Sequence, residues 1–179
     1  GIIDDDVVDI TNLHRQVLYT EEETGQSKAE CAKRRLQALN SEVEIDAYPF
    51  RLTKENAKEL ISRYDIVVDG IDNFATRYIV SDECQRQGKP YVYGAIRGLE
   101  GQVAVLCKGH CTYRSLLPDE EATLSMPHPG KAVLGTTPAV VGSVEACQVL
   151  QLVAEMGEPL VDKLWTVDLS TMMSYVIEM

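Results

Sequence analysis

The hydrophobic pattern along the chain changes period several times, and each change marks an element. Gly1-Ile2-Ile3 runs straight into Asp4-Asp5-Asp6, the pattern of a buried strand ending at an acidic edge. Residues 27–40 (SKAECAKRRLQALN) place apolar side chains at 29, 32, 36 and 39, which predicts an amphipathic helix with those positions inward. Ser27-x-x-Glu30 at its start is a capping-box pattern. Residues 43–48 (VEIDAY) alternate and predict a strand. Residues 53–64, with apolar positions at 57, 60, 61 and 64, predict a second helix. Ile66-Val67-Val68, bounded by Gly70, predicts a short strand buried on both faces. A helix from Phe74 to Gln87 follows, stopped by Gly88-Lys89-Pro90.

Beyond it, Tyr91-Val92-Tyr93 and residues 102–106 predict two more strands. Residues 107–131, polar and holding Pro118, Pro127 and Pro129, predict a long loop of the kind compact domains reserve for function. Residues 133–156 are apolar and rich in small side chains, predicting a buried helix that begins near Pro138. Residues 164–169 and 175–179 alternate and predict a final antiparallel pair. The β-α-β-α-β rhythm of the first half predicts an α/β protein. Its doubly wound sheet is expected to be mainly parallel, with helices on both faces and an antiparallel C-terminal portion. Such folds open with a strand, a Gly-rich turn and a helix before their first acidic strand end. This sequence starts inside what reads as the second strand, so a fragment is expected.

Composition narrows the class. A length of 179 residues suits a single domain with its own core. Apolar residues make up 45% and charged residues 25%, ordinary values for a globular protein. No uninterrupted run of about eighteen apolar residues occurs and no signal peptide opens the chain, so no membrane partner and a cytoplasmic location are expected. The net charge of −11 argues against a nucleic-acid partner, because phosphate backbones are bound by clustered Lys and Arg. The densest basic cluster, Lys33-Arg34-Arg35, falls on a predicted helix and reads as a solvated face. Five cysteines, irregularly spaced, fit a reducing compartment better than a disulfide framework. Cys31, Cys84 and Cys147 fall in helical patterns and are expected to be small core residues.

The chemistry concentrates in the first thirty residues and around position 72. An acid at a strand's carboxyl end binds ribose hydroxyls in nucleotide-binding folds, which nominates Asp4; Asp6 shares its face if the strand continues. The bland alternative is an acidic loop. Asn12 and Arg15, three apart, share a face on a helical turn. Lys28 stands in a helix's first turn, where it opposes the macrodipole unless an anion sits nearby. A carboxylate followed by an amide, a guanidinium and an ammonium is the inventory of a nucleotide site. Asp72 or Asn73 could simply cap the next helix. Alternatively, Asp72 at a strand's carboxyl edge could hold Mg²⁺ on bound phosphates, with Arg77 reaching the same anion. Cys107, His110 and Cys111 resemble half a zinc site without a second pair. His14 and His128 have no evident partner in the linear sequence.

Taken together, Asp4-x-Asp6, Thr11-Asn12-Leu13-x-Arg15-Gln16, Gly25-Gln26-x-Lys28 and Asp69-Gly70-Ile71-Asp72-Asn73 with Arg77 resemble the ThiF/MoeB/HesA family, bacterial relatives of ubiquitin-activating enzymes. The segments from Gly94 to Gln102, Tyr113-Arg114-x-Leu116-x-Pro118 and Gly142-Ser143-x-Glu145-Ala146 extend the match. The resemblance implies a Rossmann-like fold, usually homodimeric. It implies ATP- and Mg²⁺-dependent adenylation of the C-terminal glycine of a ubiquitin-like sulfur-carrier protein in a thiamine- or molybdopterin-type pathway. By position, Asp4 would bind the ribose, and Thr11, Asn12, Leu13, His14 and Arg15 with Lys28 would hold the phosphates. Asp72 would hold Mg²⁺ beside Asn73. Arg15, Lys28 and Asp72 would carry catalysis. The Gly-rich turn of the family lies outside this sequence. Many members bind zinc through two Cys-x-x-Cys pairs; the first falls here on Thr112 and Ser115 and the second is missing, so no structural zinc is expected. No cysteine lies between Cys111 and Cys147, so adenylation without a covalent sulfur step is expected. The competing expectations are activation of a carboxylate on modified tRNA, which the acidic charge disfavours, and a non-catalytic carrier-binding subunit. A nicotinamide-dependent oxidoreductase is disfavoured by the cations that follow Asp4.

Overall fold

The computed structural model describes residues 1–127 and 133–179, which divide into two compact units, Gly1–Thr53 and Lys54–Met179. In the first, β1 (Ile2–Ile3) and β2 (Ala47–Tyr48) pair in parallel, Ile2 opposite Ala47 and Ile3 opposite Tyr48. The crossover between them is α1 (Lys28–Leu39). Its inward face is Ala29, Cys31 and Ala32, all fully buried, with Val8 beneath them. The Ser27 hydroxyl accepts from the Glu30 amide at 3.4 Å, so the capping residue is the expected one. Leu39, expected inward, is 83% exposed, because the helix ends at the next residue and its last turn overhangs the strands. The strand expected over 43–48 is shorter. The Val43 and Glu42 amides instead close a turn on the Asn40 carbonyl and side chain, leaving only Ala47–Tyr48 to pair.

The second unit holds α2 (Lys54–Ser62), β3 (Val67–Val68), α3 (Phe74–Gln87), β4 (Tyr91–Arg97), β5 (Glu100–Leu106), α4 (Tyr113–Leu116), α5 (Glu120–Leu124), α6 (Thr136–Ala154), β6 (Lys163–Asp168) and β7 (Met173–Glu178). Five strands form one sheet in the order β3-β4-β5-β6-β7. Among the described strands of this sheet, β3 and β4 run parallel, whereas β4-β5, β5-β6 and β6-β7 pair antiparallel. The α/β class stands, and the antiparallel part starts earlier than the strand spacing suggested. Val68 is about half exposed rather than buried on both faces, because β3 is an edge strand with one described neighbour.

Both faces of β4 and β5 are covered, by different helices. Alternation sends Tyr91 and Tyr93 to one face, where the Tyr93 and Tyr78 rings meet Tyr113 from α4 at 5.6 and 4.9 Å. Val92, Val103 and Val105 point the other way and bury Val141 of α6. Glycines let α6 sit close. A Cβ on Gly101 would lie 2.4 Å from Val141 Cγ2. α6 begins at Thr136, two residues before Pro138, whose missing N–H is harmless in a first turn. Among the described residues, α6 is long and apolar enough to cross a membrane. It is seated on the sheet, however, and its inward side carries Glu145 and Gln148. The loop expected over 107–131 contains α4 and α5, each started by a side-chain cap from Thr112 or Asp119. His128 lies outside the described residues, as does the end of that loop. Cys31 and Cys84 are core residues as expected, whereas Cys147 faces outward, away from the Val141–Glu145–Gln148 side of α6.

The close approach at Gly101 has a measurable consequence. Gly101→Ala should lower stability by about 1–3 kcal/mol through overpacking, read as a lower urea midpoint; an unchanged midpoint would show that α6 does not press on β5.

Candidate nucleotide site

In the first unit the acidic edge and the following helix are laced together by backbone. The Val8 amide donates to the Gln26 carbonyl, Gly25 to Val8, and Lys28 to Asp6, at 2.8–3.0 Å. Gly25 supplies the left-handed turn this return needs, at φ +84°. The lacing places the Lys28 ammonium 2.8 Å from Asp6 Oδ2, with the lysine side chain 6% exposed and the aspartate 71% exposed. Lys28 is thus a buried cation reaching the surface only at its tip. Asp6 lies beyond the strand rather than on it, so it shares a cluster with Asp4 but not a strand face. Asp4, Asp5 and Asp6 bring carboxylate oxygens within 4.8 Å of one another. Asp4 accepts from the Asp6 amide at 2.9 Å. Burial pushes the Asp4 carboxyl up, and the Asp6 amide and Lys28 pull it back.

Residues 10–12 form a short 3₁₀ turn capped by Asp9, which accepts from the Thr11 amide at 2.7 Å and hydroxyl at 2.5 Å. The Thr11 hydroxyl also receives Asn12 Nδ2 at 3.3 Å. His14 Nδ1 stands 3.0 Å from the Thr11 carbonyl, and Arg15 Nη1 stands 3.5 Å from that carbonyl and from His14 Nε2. Leu13 closes the turn as its C-cap. The segment is a compact knuckle carrying one half-buried guanidinium.

In the second unit, β3 runs into Asp69-Gly70-Ile71-Asp72-Asn73. Asn73 is the helix cap: its side chain accepts from the Thr76 amide at 2.9 Å. That leaves the Asp72 carboxylate exposed, with Asn73 Nδ2 3.4 Å away. Arg77 turns inward instead of toward Asp72. Its Nε donates to Asp69 Oδ2 at 3.0 Å, and its Nη2 donates to the carbonyls of Ile71 and Gly94 at 2.6 and 2.9 Å. Its side chain is 11% exposed and that of Asp69 is fully buried. Tyr91 donates to the same carboxylate at 2.7 Å, and the Ile71 amide donates to its other oxygen. Burial pushes the Asp69 carboxyl up; Arg77, the Tyr91 hydroxyl and the Ile71 amide counter it. Arg77 therefore ties the strand end, the loop and β4 together from inside.

Residues named for metal binding divide differently. His110 Nδ1 lies 2.7 Å from Asp162 Oδ2, and the Cys111 amide donates to Asp162 Oδ1 at 2.8 Å. Thr112 and Ser115 form a reciprocal cap on α4, each amide donating to the other's hydroxyl at 3.3 and 3.0 Å. Three residues of the second unit were quoted in the sequence motifs and strands without a role of their own: Asp69 as the buried acid, Tyr91 as its donor, and Glu145, packed against Gly94. A glutamate inside an apolar helix and a glycine inside an apolar strand were the available signals.

Each unit places acidic residues at the carboxyl end of a parallel strand, where α/β folds that bind nucleotides put their ligand-contacting groups. The chain belongs to the ThiF family, whose model matches residues 1–179. It is 47% identical over 176 residues to a sulfur carrier protein adenylyltransferase of Thermus thermophilus, covering 94% of this chain and 65% of that protein. It is 40% identical over 170 residues to the adenylyltransferase and sulfurtransferase MOCS3 of Arabidopsis thaliana, covering 94% of this chain and 37% of that protein. Among solved structures, E. coli MccB with ATP superposes with a TM-score of 0.81 at 25% identity, covering 99% of this chain and 55% of that one. The chain thus spans less than two thirds of the length of each.

Removing Arg77 and removing Asp72 should affect stability very differently. Arg77→Met leaves Asp69 buried and unpaired and should cost about 3–5 kcal/mol. Asp72→Ala, at an exposed carboxylate, should stay within about 0.5 kcal/mol of wild type. Urea unfolding of both variants checks this, and equal losses would contradict the inward role of Arg77.

Proposed function

We propose that the chain is the nucleotide-binding part of an ATP-dependent adenylyltransferase acting on the C-terminal glycine carboxylate of a ubiquitin-like sulfur-carrier protein. The observation that carries this reading is the similarity to the Thermus sulfur carrier protein adenylyltransferase along almost the whole chain. In the reaction the carrier carboxylate attacks the α-phosphorus of ATP, a new C–O–P linkage forms, and pyrophosphate leaves. The attacking group is already ionised at neutral pH, so no general base is required. The work is alignment of the two reactants and neutralisation of charge that builds on the phosphates.

The residues fit that division. Asp4, half-buried at the end of β1 with one oxygen engaged by the Asp6 amide, would present its other oxygen to the ribose hydroxyls. Arg15, on the 3₁₀ knuckle with Asn12, would meet the phosphates. Lys28 is fixed by Asp6 through one of its three N–H groups, which holds the ammonium in place at the cost of part of its charge. The exposed Asp72 carboxylate is a hard oxygen donor of the kind Mg²⁺ takes. Mg²⁺ would shield phosphate charge when bound there. Arg77 is committed to Asp69 and two carbonyls, so it supports the Asp72 loop rather than the nucleotide. A homodimer is proposed as well. Leu150, Val153 and Met156 at the end of α6, and Tyr175, Val176 and Ile177 on β7, expose apolar surface to which a second copy could bind. Whether a thiamine- or molybdopterin-type carrier is used is a matter of the partner's chemistry.

The test is carrier-dependent exchange of labelled pyrophosphate into ATP. Asp72→Ala should abolish exchange while leaving the circular dichroism spectrum unchanged. Asp4→Ala should weaken ATP binding about 10- to 100-fold, the value of a charge-assisted hydrogen bond. Exchange that survives in Asp72→Ala would remove the metal role, and exchange absent from the intact protein with every carrier tail would remove the reading.

A further inference from the structure

Glu145 stands on the inward side of an otherwise apolar stretch of α6, and the sheet makes room for it. A Cβ on Gly94 would lie 2.4 Å from Glu145 Oε1 and 2.8 Å from Oε2, so the carboxyl group could keep its present place only against a glycine. Oε1 is buried and has no hydrogen-bond partner among the described residues. The same Gly94 accepts, on its carbonyl, the Nη2 donor of Arg77 at 2.9 Å. One backbone residue therefore stands between the Glu145 carboxyl and the guanidinium that holds Asp69 and Ile71. The charged groups that bear on Glu145 are Asp69 at the end of β3 and Arg77 on α3, and the phenols of Tyr91 and Tyr93 belong to the same cluster. Burial, and then the Asp69 charge, push the Glu145 carboxyl up to about 8, against the pull of Arg77.

We propose that Glu145 is a positioning residue for the 69–73 loop, setting through Gly94 and Arg77 where the end of β3 is held. Neutral, it is a compact filler behind Gly94 and leaves Arg77 to Asp69 and the Ile71 carbonyl. Ionised, it becomes a second buried anion drawing on the same guanidinium, and the loop that carries Asp72 loses part of its anchor. The effect on Asp72 rests on the proposed nucleotide reading; the effect on Arg77 does not.

The test follows the Arg77 side-chain Nε–H and the Ile71 amide by nitrogen–proton NMR in the whole chain, from about pH 6 to about pH 10, in wild type and in Glu145→Gln. Both wild-type signals should move with a midpoint near 8 and stay flat in Glu145→Gln, which keeps the shape and removes the charge. Flat wild-type signals, or an unchanged titration in the variant, would overturn the proposal. If the variant fails to fold, a carbon-13 titration of the Glu145 carboxyl in wild type decides: a midpoint in the ordinary carboxyl range overturns the proposal and one near 8 supports it. The linkage has a definite sign. Because the folded-state value lies above the unfolded one, wild-type stability relative to Glu145→Gln should fall as pH rises from the ordinary carboxyl value to about 8, then level off. MgATP affinity separates the two readings. A loss of about tenfold above the midpoint in wild type alone supports positioning, and binding with no pH dependence overturns it. Absence of ATP binding at every pH, with the Arg77 signal still shifting near the Glu145 midpoint, would sink the nucleotide reading and leave the positioning of Arg77 supported.

Discussion

The buried pair of Asp69 and Arg77 is the constraint on which the second unit depends. An aspartate taken wholly out of water is tolerable only when its oxygens are satisfied. Here a guanidinium, a phenol and a backbone amide do so. The same guanidinium reaches the carbonyls of Ile71 and Gly94. Four pieces of chain are fixed by one side chain: the end of β3, the loop behind it, the first turn of α3 and the middle of β4. Because Arg77 serves the interior, Asp72 stays exposed on a loop that is anchored at Asp69 and Ile71. Pre-organisation of that kind is what a site for charged ligands needs, since a loop that had to order on binding would lose affinity to entropy.

The first unit solves a similar problem with opposite burial. Its charge held inside is the cation, Lys28, and its partner Asp6 faces solvent. The Lys28 ammonium pairs with Asp6 at 2.8 Å, and the hydrogen-bonded return from Gly25 to Lys28 fixes the helix start against residues 6–8. Both units thus spend ionic contacts on holding backbone at strand ends, where function in α/β folds is concentrated. The overall charge of −11 is carried by exposed acids, while the cations that matter structurally are drawn inward.

Much of the fold was legible because its elements have clean periods. The helices at 28–39 and 54–62 follow their apolar spacing apart from Leu39, the helix at 74–87 was legible from its boundaries, and Ser27, Asn73 and Gly88 mark ends as their chemistry requires. What was hidden depends on partners far along the chain. Leu39 keeps the helical period but is exposed, and no local pattern tells how many neighbours a strand such as β3 has; among the described residues it has one. The turn at Asn40 shortened a strand that alternation alone had extended. Arg77 shows the limit for the site. Its spacing from Asp72 suits an anion contact, but its direction is decided by Asp69, eight residues earlier, and by Gly94, seventeen later. Of the two capping candidates Asn73 is the cap, and its neighbour Asp72 is left exposed.

Glu145 extends the same reasoning to the other side of the sheet. A glutamate costs several kcal/mol to bury ionised, and a fold under selection for stability alone would place an apolar side chain there. The chain instead has a glycine in β4, where a Cβ would displace that carboxyl group from its present place. Gly94 is thus shared by two side chains that approach from opposite faces, Glu145 from α6 and Arg77 from α3. The sheet at this point is one backbone thick between a latent anion and a committed cation. Any change in the charge of Glu145 must therefore be felt by Arg77 and, through it, at the end of β3, because little solvent lies between them to screen it.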